Sequence, residues 1–181
     1  MAFISNKGNK NLDTYDKKTI NEIYEHAENL GIETKPFDIF AYISNIPEID
    51  YWEDYFDNDI SGKIEYKPSG IYQIVVNKYH SVSRKRFTLA HEFAHFVLHK
   101  EFLKQGNKLE DIILFRSSND IGNKKELEAN QFAADLLMPK EVFETEIRKG
   151  NNKINSLADF FQVSSAAIKY RAFKLGYLKE Y

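Results

Sequence analysis

Between Ser83 and about Phe102 the chain carries apolar side chains on most of a helix's circumference, and His91, Glu92 and His95 stand in their midst. A helix that is apolar nearly all round belongs in an interior, packed by several neighbours. Ionisable groups placed there need partners, because burying them without compensation is costly. On a helix, residues four apart share a face with Cβ atoms about 5–6 Å apart, so His91 and His95 can turn two imidazoles toward one point while Glu92 lies at the adjacent edge. Two neutral imidazoles beside a glutamate form the ligand arrangement of a zinc hydrolase. Such a site takes three protein ligands and leaves a fourth position for water. The third ligand has to arrive from another segment.

Three residues compete for that place. His99 extends the four-residue series, but relative to His91 it has rotated about 80° and risen about 12 Å, which makes it a core or rim residue. Glu126 and Glu128 lie on a later helical segment, Glu126 to Pro139, whose Ala129, Ala133 and Ala134 allow close packing against the first helix. Spacing alone does not choose between the two glutamates. A second polar group is expected on each imidazole's other nitrogen. Asp135, seven residues after Glu128 and on a similar helical face, is the candidate for that role.

The remaining elements set the fold class. Ile20, Ile23, Tyr24, Ala27 and Leu30 recur at helical spacing after Asp13, a plausible N-cap, and Gly31 closes the segment. Pro36 suits the start of a short helix that ends near Asn45, and Pro47 breaks that pattern. From Ile49 the chain turns aromatic and acidic, as expected of a strand with its aromatics inward. Ile60–Tyr66 and Ile71–Val76 flank Lys67-Pro68-Ser69-Gly70 and read as a hairpin. A long connection from Lys104 to Asn123 has room for one short strand, Ile112–Phe115, before the helix Lys124–Leu137 and another opened by Pro139. Gly150 to Asn152 form a linker to two short helices. The expectation is an α+β fold with a small antiparallel sheet beside the two ligand-bearing helices. Residues 1–150 would form the main domain and residues 153–181 a small helix-turn-helix-like unit.

Composition narrows the chemistry further. The 181 residues include no cysteine, so any metal site must use His, Asp or Glu, and disulfide scaffolds and cysteine nucleophiles are excluded. No run of about 18 apolar residues occurs, and the first residues lack the apolar stretch of a signal peptide, which argues for a cytoplasmic, non-membrane protein. The formal charge of −2 is uneven. Residues 1–60 carry 5 basic and 13 acidic side chains, while residues 153–181 carry 5 and 2. So small a positive excess in the tail supplies few phosphate contacts and argues against direct DNA binding.

The strings Arg86-Phe87-Thr88-Leu89-Ala90-His91-Glu92-Phe93-Ala94-His95 and Glu128-Ala129-Asn130-Gln131-Phe132-Ala133-Ala134-Asp135-Leu136-Leu137-Met138-Pro139 closely resemble the ImmA/IrrE family of small bacterial and phage zinc metallopeptidases. The resemblance is best over residues 71–139. It implies a gluzincin-like core with His91, His95 and Glu128 as zinc ligands, because in that family the glutamate directly before Ala-Asn is the third ligand. It also implies Glu92 as the general base of amide hydrolysis, and a protein substrate, a helix-turn-helix repressor of a mobile element, phage or stress response. Arg116, Tyr79 and His80 are candidates for steadying the oxyanion, and the residues do not choose among them. The rival reading is a non-catalytic toxin–antitoxin or repressor-binding partner with a structural or vestigial metal site. Neither reading fixes the oligomeric state.

Overall fold

The computed structural model describes residues 15–56, 60–106, 109–112 and 121–180. Asp13 lies outside them. Thr19 caps the first helix, α1 (Ile20–Asn29), accepting from the Glu22 amide while the Glu22 carboxylate accepts from the Thr19 amide. This reciprocal pairing satisfies two of the amides that a helix start leaves open. A short helix, α2 (Ile39–Ser44), starts at Asp38, whose carboxylate accepts from the Ala41 amide. The central helix, α3 (Val82–Leu98), is capped by Ser81 and ends where His99 leaves helical geometry. The expected continuation to Phe102 is instead a separate turn of helix, α4 (Lys100–Lys104).

Four strands form one sheet: β1 (Ile49–Asp54), β2 (Ile60–Tyr66), β3 (Tyr72–Asn77) and β4 (Leu109–Ile112), in the order β1-β3-β2-β4. β2 and β3 are the expected hairpin, closed through Lys67–Gly70 with Gly70 at φ +86°. β4 includes Ile112 of the strand expected at Ile112–Phe115, the rest of which lies outside the described residues, and pairs antiparallel with β2. The sheet is not wholly antiparallel, because β1 runs parallel to β3, from Ile49 opposite Tyr72 to Asp54 opposite Asn77. With β3 between β1 and β2, the chain leaving β1 must pass beyond its neighbour before it turns back. A pairing order of this kind depends on the whole sheet and leaves no trace in local alternation.

β1 corrects a second expectation. Ile49 is buried, but Trp52 and Tyr55 are 39% and 58% exposed, and Tyr55 meets exposed Tyr79 in a tilted ring contact at 4.8 Å. Tyr51 does pack inward, against Phe40. As an edge strand β1 covers the core at its start and then runs out over solvent.

The rest of the chain is helical: α5 (Ile121–Leu137), α6 (Lys140–Arg148), α7 (Ile154–Phe161) and α8 (Ser165–Lys174). Every residue of α3 from Arg86 to Phe96 is buried. Phe93 meets Tyr42 and Phe132, and Phe96 meets Tyr72 edge-on at 4.9 Å, so α2, α5 and the sheet all close on this helix. Leu157, Phe161, Val163 and Ile168 from the α7–α8 region belong to the same buried cluster. Two buried arginines bind that region to the rest. Arg86 of α3 donates to the Phe37 carbonyl at 2.9 Å and to the Gln162 carbonyl in the α7–α8 turn at 3.1 Å. Arg171 of α8 donates to the Met138 carbonyl at the end of α5 at 2.8 Å.

α3 comes close to the sheet at Gly62 of β2. A Cβ built there would stand 2.6 Å from the Thr88 methyl, 3.1 Å from the Val75 carbonyl and 3.2 Å from a Glu92 carboxylate oxygen. Gly62→Ala therefore forces α3 outward or displaces Glu92. The variant is expected to lose about 1–3 kcal/mol, as overpacked cores do, read as a lower urea midpoint. An unchanged midpoint would show that α3 can retreat from β2 at no cost.

Candidate metal centre

The histidines of α3 turn toward α5, the helix against which α3 packs most extensively. The Nε2 atoms of His91 and His95 lie 3.0 Å apart. The Glu126 carboxylate reaches both, with Oε2 at 3.0 Å from His91 Nε2 and Oε1 at 3.4 Å from His95 Nε2. Among the described residues this is the group of His and carboxylate side chains whose ligand atoms converge closely enough to share an ion. Ligands about 2.0–2.2 Å from a tetrahedral zinc sit roughly 3.3–3.5 Å from one another, close to the observed triangle.

The carboxylate that the structure brings to both histidines is that of Glu126, whereas the resemblance implied Glu128. Periodicity explains the difference. Asn130 is four residues beyond Glu126 and on its face, and its Oδ1 lies 3.0 Å from His91 Nδ1. Glu128 is rotated about 200° from Glu126 around α5. Its Oε2 meets His99 Nε2 at 3.1 Å, on the outer side of the histidine row. Asp135 is likewise not a partner of either ligand histidine. It pairs with Arg171 at 2.5 Å and accepts from Gln131 at 3.0 Å. Nine residues separate it from Glu126, about half a turn off the metal-facing side. The polar group that does meet His91 is Asn130, and the sequence signal for it is the i, i+4 relation to Glu126.

Glu92 is fully buried between α3 and β2, one turn beyond Thr88 and beside Gly62. Tyr79 and His80 lie between β3 and α3, and Tyr79 is 68% exposed. Arg116 lies outside the described residues.

Electrostatics prepare the cluster for a cation. Burial, aided by neighbouring His91 and His99, lowers the His95 pKa to about 4 even though Glu126 pulls it upward. For Glu126, burial pushes upward, but contacts with His91 and His95 outweigh it and bring the pKa to about 2. At neutral pH His95 is therefore a neutral imidazole and Glu126 a carboxylate, the forms that bind metal.

The profile of the IrrE N-terminal-like domain, a peptidase M78 family, matches residues 34–173. The chain belongs to this family. Membership makes it a peptidase-family protein and bears out the resemblance seen in the two motifs. No curated protein sequence matches the chain. In structure it is similar to a Mycobacterium tuberculosis transcriptional regulator, with a TM-score of 0.58 at 15% identity over 84% of this chain. This family member spans 45% of that regulator's length, and the likeness is one of fold. No helix among the described residues is long and apolar enough to cross a membrane.

Two measurements check the site. Metal analysis after zinc loading should give near-stoichiometric metal for wild type and Asp135→Asn, and strong loss for Glu126→Ala, whereas full retention in Glu126→Ala would remove Glu126 from the ligand set. The metal-free protein should also lose stability on acidification. His95 titrates near 6.5 when unfolded and about 4 when folded. Its contribution is present above 6.5 and disappears as pH falls toward 4. Glu126 adds a second loss between 4.5 and about 2. Urea midpoints against pH should show the upper loss in wild type and not in His95→Gln.

Proposed function

We propose that this chain is a zinc-dependent endopeptidase that cleaves one regulatory protein, a helix-turn-helix repressor. The observation that carries the reading is the convergence of the His91 and His95 Nε2 atoms with the Glu126 carboxylate beside buried Glu92. Membership of a peptidase family supports it. The donor set suits zinc, since two imidazoles and one carboxylate are the ligands of many zinc hydrolases. When bound, zinc supplies Lewis acidity toward the scissile carbonyl and toward water.

The chain's own residues supply the rest. His91, His95 and Glu126 would hold the ion, and Asn130 Oδ1, 3.0 Å from His91 Nδ1, would accept its proton and leave Nε2 free to ligate. Glu92, adjacent in sequence to His91 and screened from bulk water by β2, takes the proton of the attacking water and returns it to the leaving amine. General acid–base catalysis of this kind contributes about 10²–10⁴-fold in rate. Burial of Glu92 against Gly62 fixes its position on rigid elements.

The choice of a repressor as substrate rests on the family resemblance, and the fold likeness to a transcriptional regulator is consistent with it. Burial of Arg171 also removes a cation from the tail's surface, leaving less positive charge there for phosphate contact. The test is cleavage of a helix-turn-helix repressor encoded beside this chain, followed by mass spectrometry with and without a chelator. Glu92→Gln should bind zinc as wild type does and cleave at least about 10²-fold more slowly. Undiminished cleavage by that variant would reassign the base, and zinc binding without cleavage of any repressor would favour the binding-partner reading.

A further inference from the structure

His95 needs an acceptor on Nδ1 if its Nε2 is to ligate a cation, and the group in that place is another histidine. The two Nδ1 atoms of His95 and His99 are 2.9 Å apart. Only one of two facing ring nitrogens can carry the proton, so their protonation states are tied together. The far side of His99 decides which. Its Nε2 lies 3.1 Å from Glu128 Oε2, and a carboxylate can only accept. A neutral His99 then carries its proton on Nε2, which leaves its Nδ1 as an acceptor and places a proton on His95 Nδ1. The lone pair of His95 Nε2 then faces His91 and Glu126.

From this geometry we infer that Glu128 and His99 are positioning residues that act in series to hold His95 in its metal-binding tautomer. The inference rests on the zinc reading of the cluster. It gives roles to two residues that do not ligate: His99 is 7% exposed at the end of α3, and Glu128 reaches it from the rim of α5 with a side chain 45% exposed. His99 can do this because α3 stops at Leu98, and at φ −123° and ψ 23° it departs from the helical path beside His95. The series is matched on the other ligand by the single step from His91 to Asn130. Two imidazoles that both converge through Nε2 are thus each oriented through Nδ1 by a group on α5, one directly and one through His99.

Loss of such an orienting partner commonly weakens metal binding about 10–100-fold. Zinc dissociation constants measured by competition with a chromogenic chelator, with full-length protein, test the assignment. His99→Leu should bind zinc about 10–100-fold more weakly. Glu128→Leu, on the exposed rim where folding is least at risk, should weaken binding by about tenfold, and Glu128→Gln, whose amide oxygen still accepts, should stay close to wild type. In zinc-loaded protein, nitrogen-15 NMR should show the His95 Nδ1 proton in wild type exchanging slowly with solvent and in His99→Leu exchanging fast. If wild type binds zinc while both leucine variants bind equally tightly and keep slow exchange, the positioning role is overturned and the zinc reading survives. If Glu128→Gln alone abolishes stoichiometric zinc, Glu128 is itself a ligand and the inference fails. If wild type binds no zinc, the zinc reading falls, and the inference with it.

Discussion

Everything in the centre follows from how closely α5 lies against α3. Ala129, Ala133 and Ala134 are fully buried and present no side chain beyond a methyl, so the two helix backbones can approach until groups on α5 touch the histidine row. Longer residues there would hold the helices apart by more than the 3.0 Å over which Glu126 meets His91. On the other side Gly62 does for the sheet what the alanines do for α5. α3 is therefore squeezed between two surfaces without bulk, and its ionisable groups are held within reach of their partners at both contacts. Dense packing of this kind tolerates little adjustment, which suits a centre whose geometry must hold to fractions of an ångström.

Much of this is legible in the residues alone. The apolar circumference of α3 places it in the interior, and four-residue spacing pairs His91 with His95. The alanines of α5 foretell its close approach. The choice of carboxylate does not follow, because two glutamates two residues apart satisfy the same local pattern and only the rotation of α5 separates them. Motif adjacency points to Glu128, and Asp135, which shares the Glu128 face, is drawn along with it. Asn130, on the face of Glu126, is the available clue. The parallel entry of β1 has no local signature, since pairing order is decided between segments far apart in the chain.

The polar groups of the core show a common logic. Arg86 and Arg171 are buried cations whose donors end on backbone carbonyls, and Arg171 adds Asp135. Such bonds join segments that apolar contact alone would hold with less directional preference. Removing either arginine takes a donor away from these carbonyls, and for that reason truncating the tail disturbs more than the tail. Lys100 is a further case, its ammonium 4.1 Å from the centre of the Phe96 ring and 3.1 Å from the Tyr15 carbonyl.

The bond from Arg171 to the Met138 carbonyl has a bearing on the order of assembly. Met138 stands at the exit of α5, where a helix leaves its last carbonyls unanswered and where Pro139 offers no amide to extend the ladder. The answer comes from α8, made on the ribosome well after both halves of the His91, His95 and Glu126 cluster. A nascent chain that has emerged only as far as α6 carries all three residues and an unfinished clasp, so full rigidity of the cluster would wait for one of the last helices to emerge.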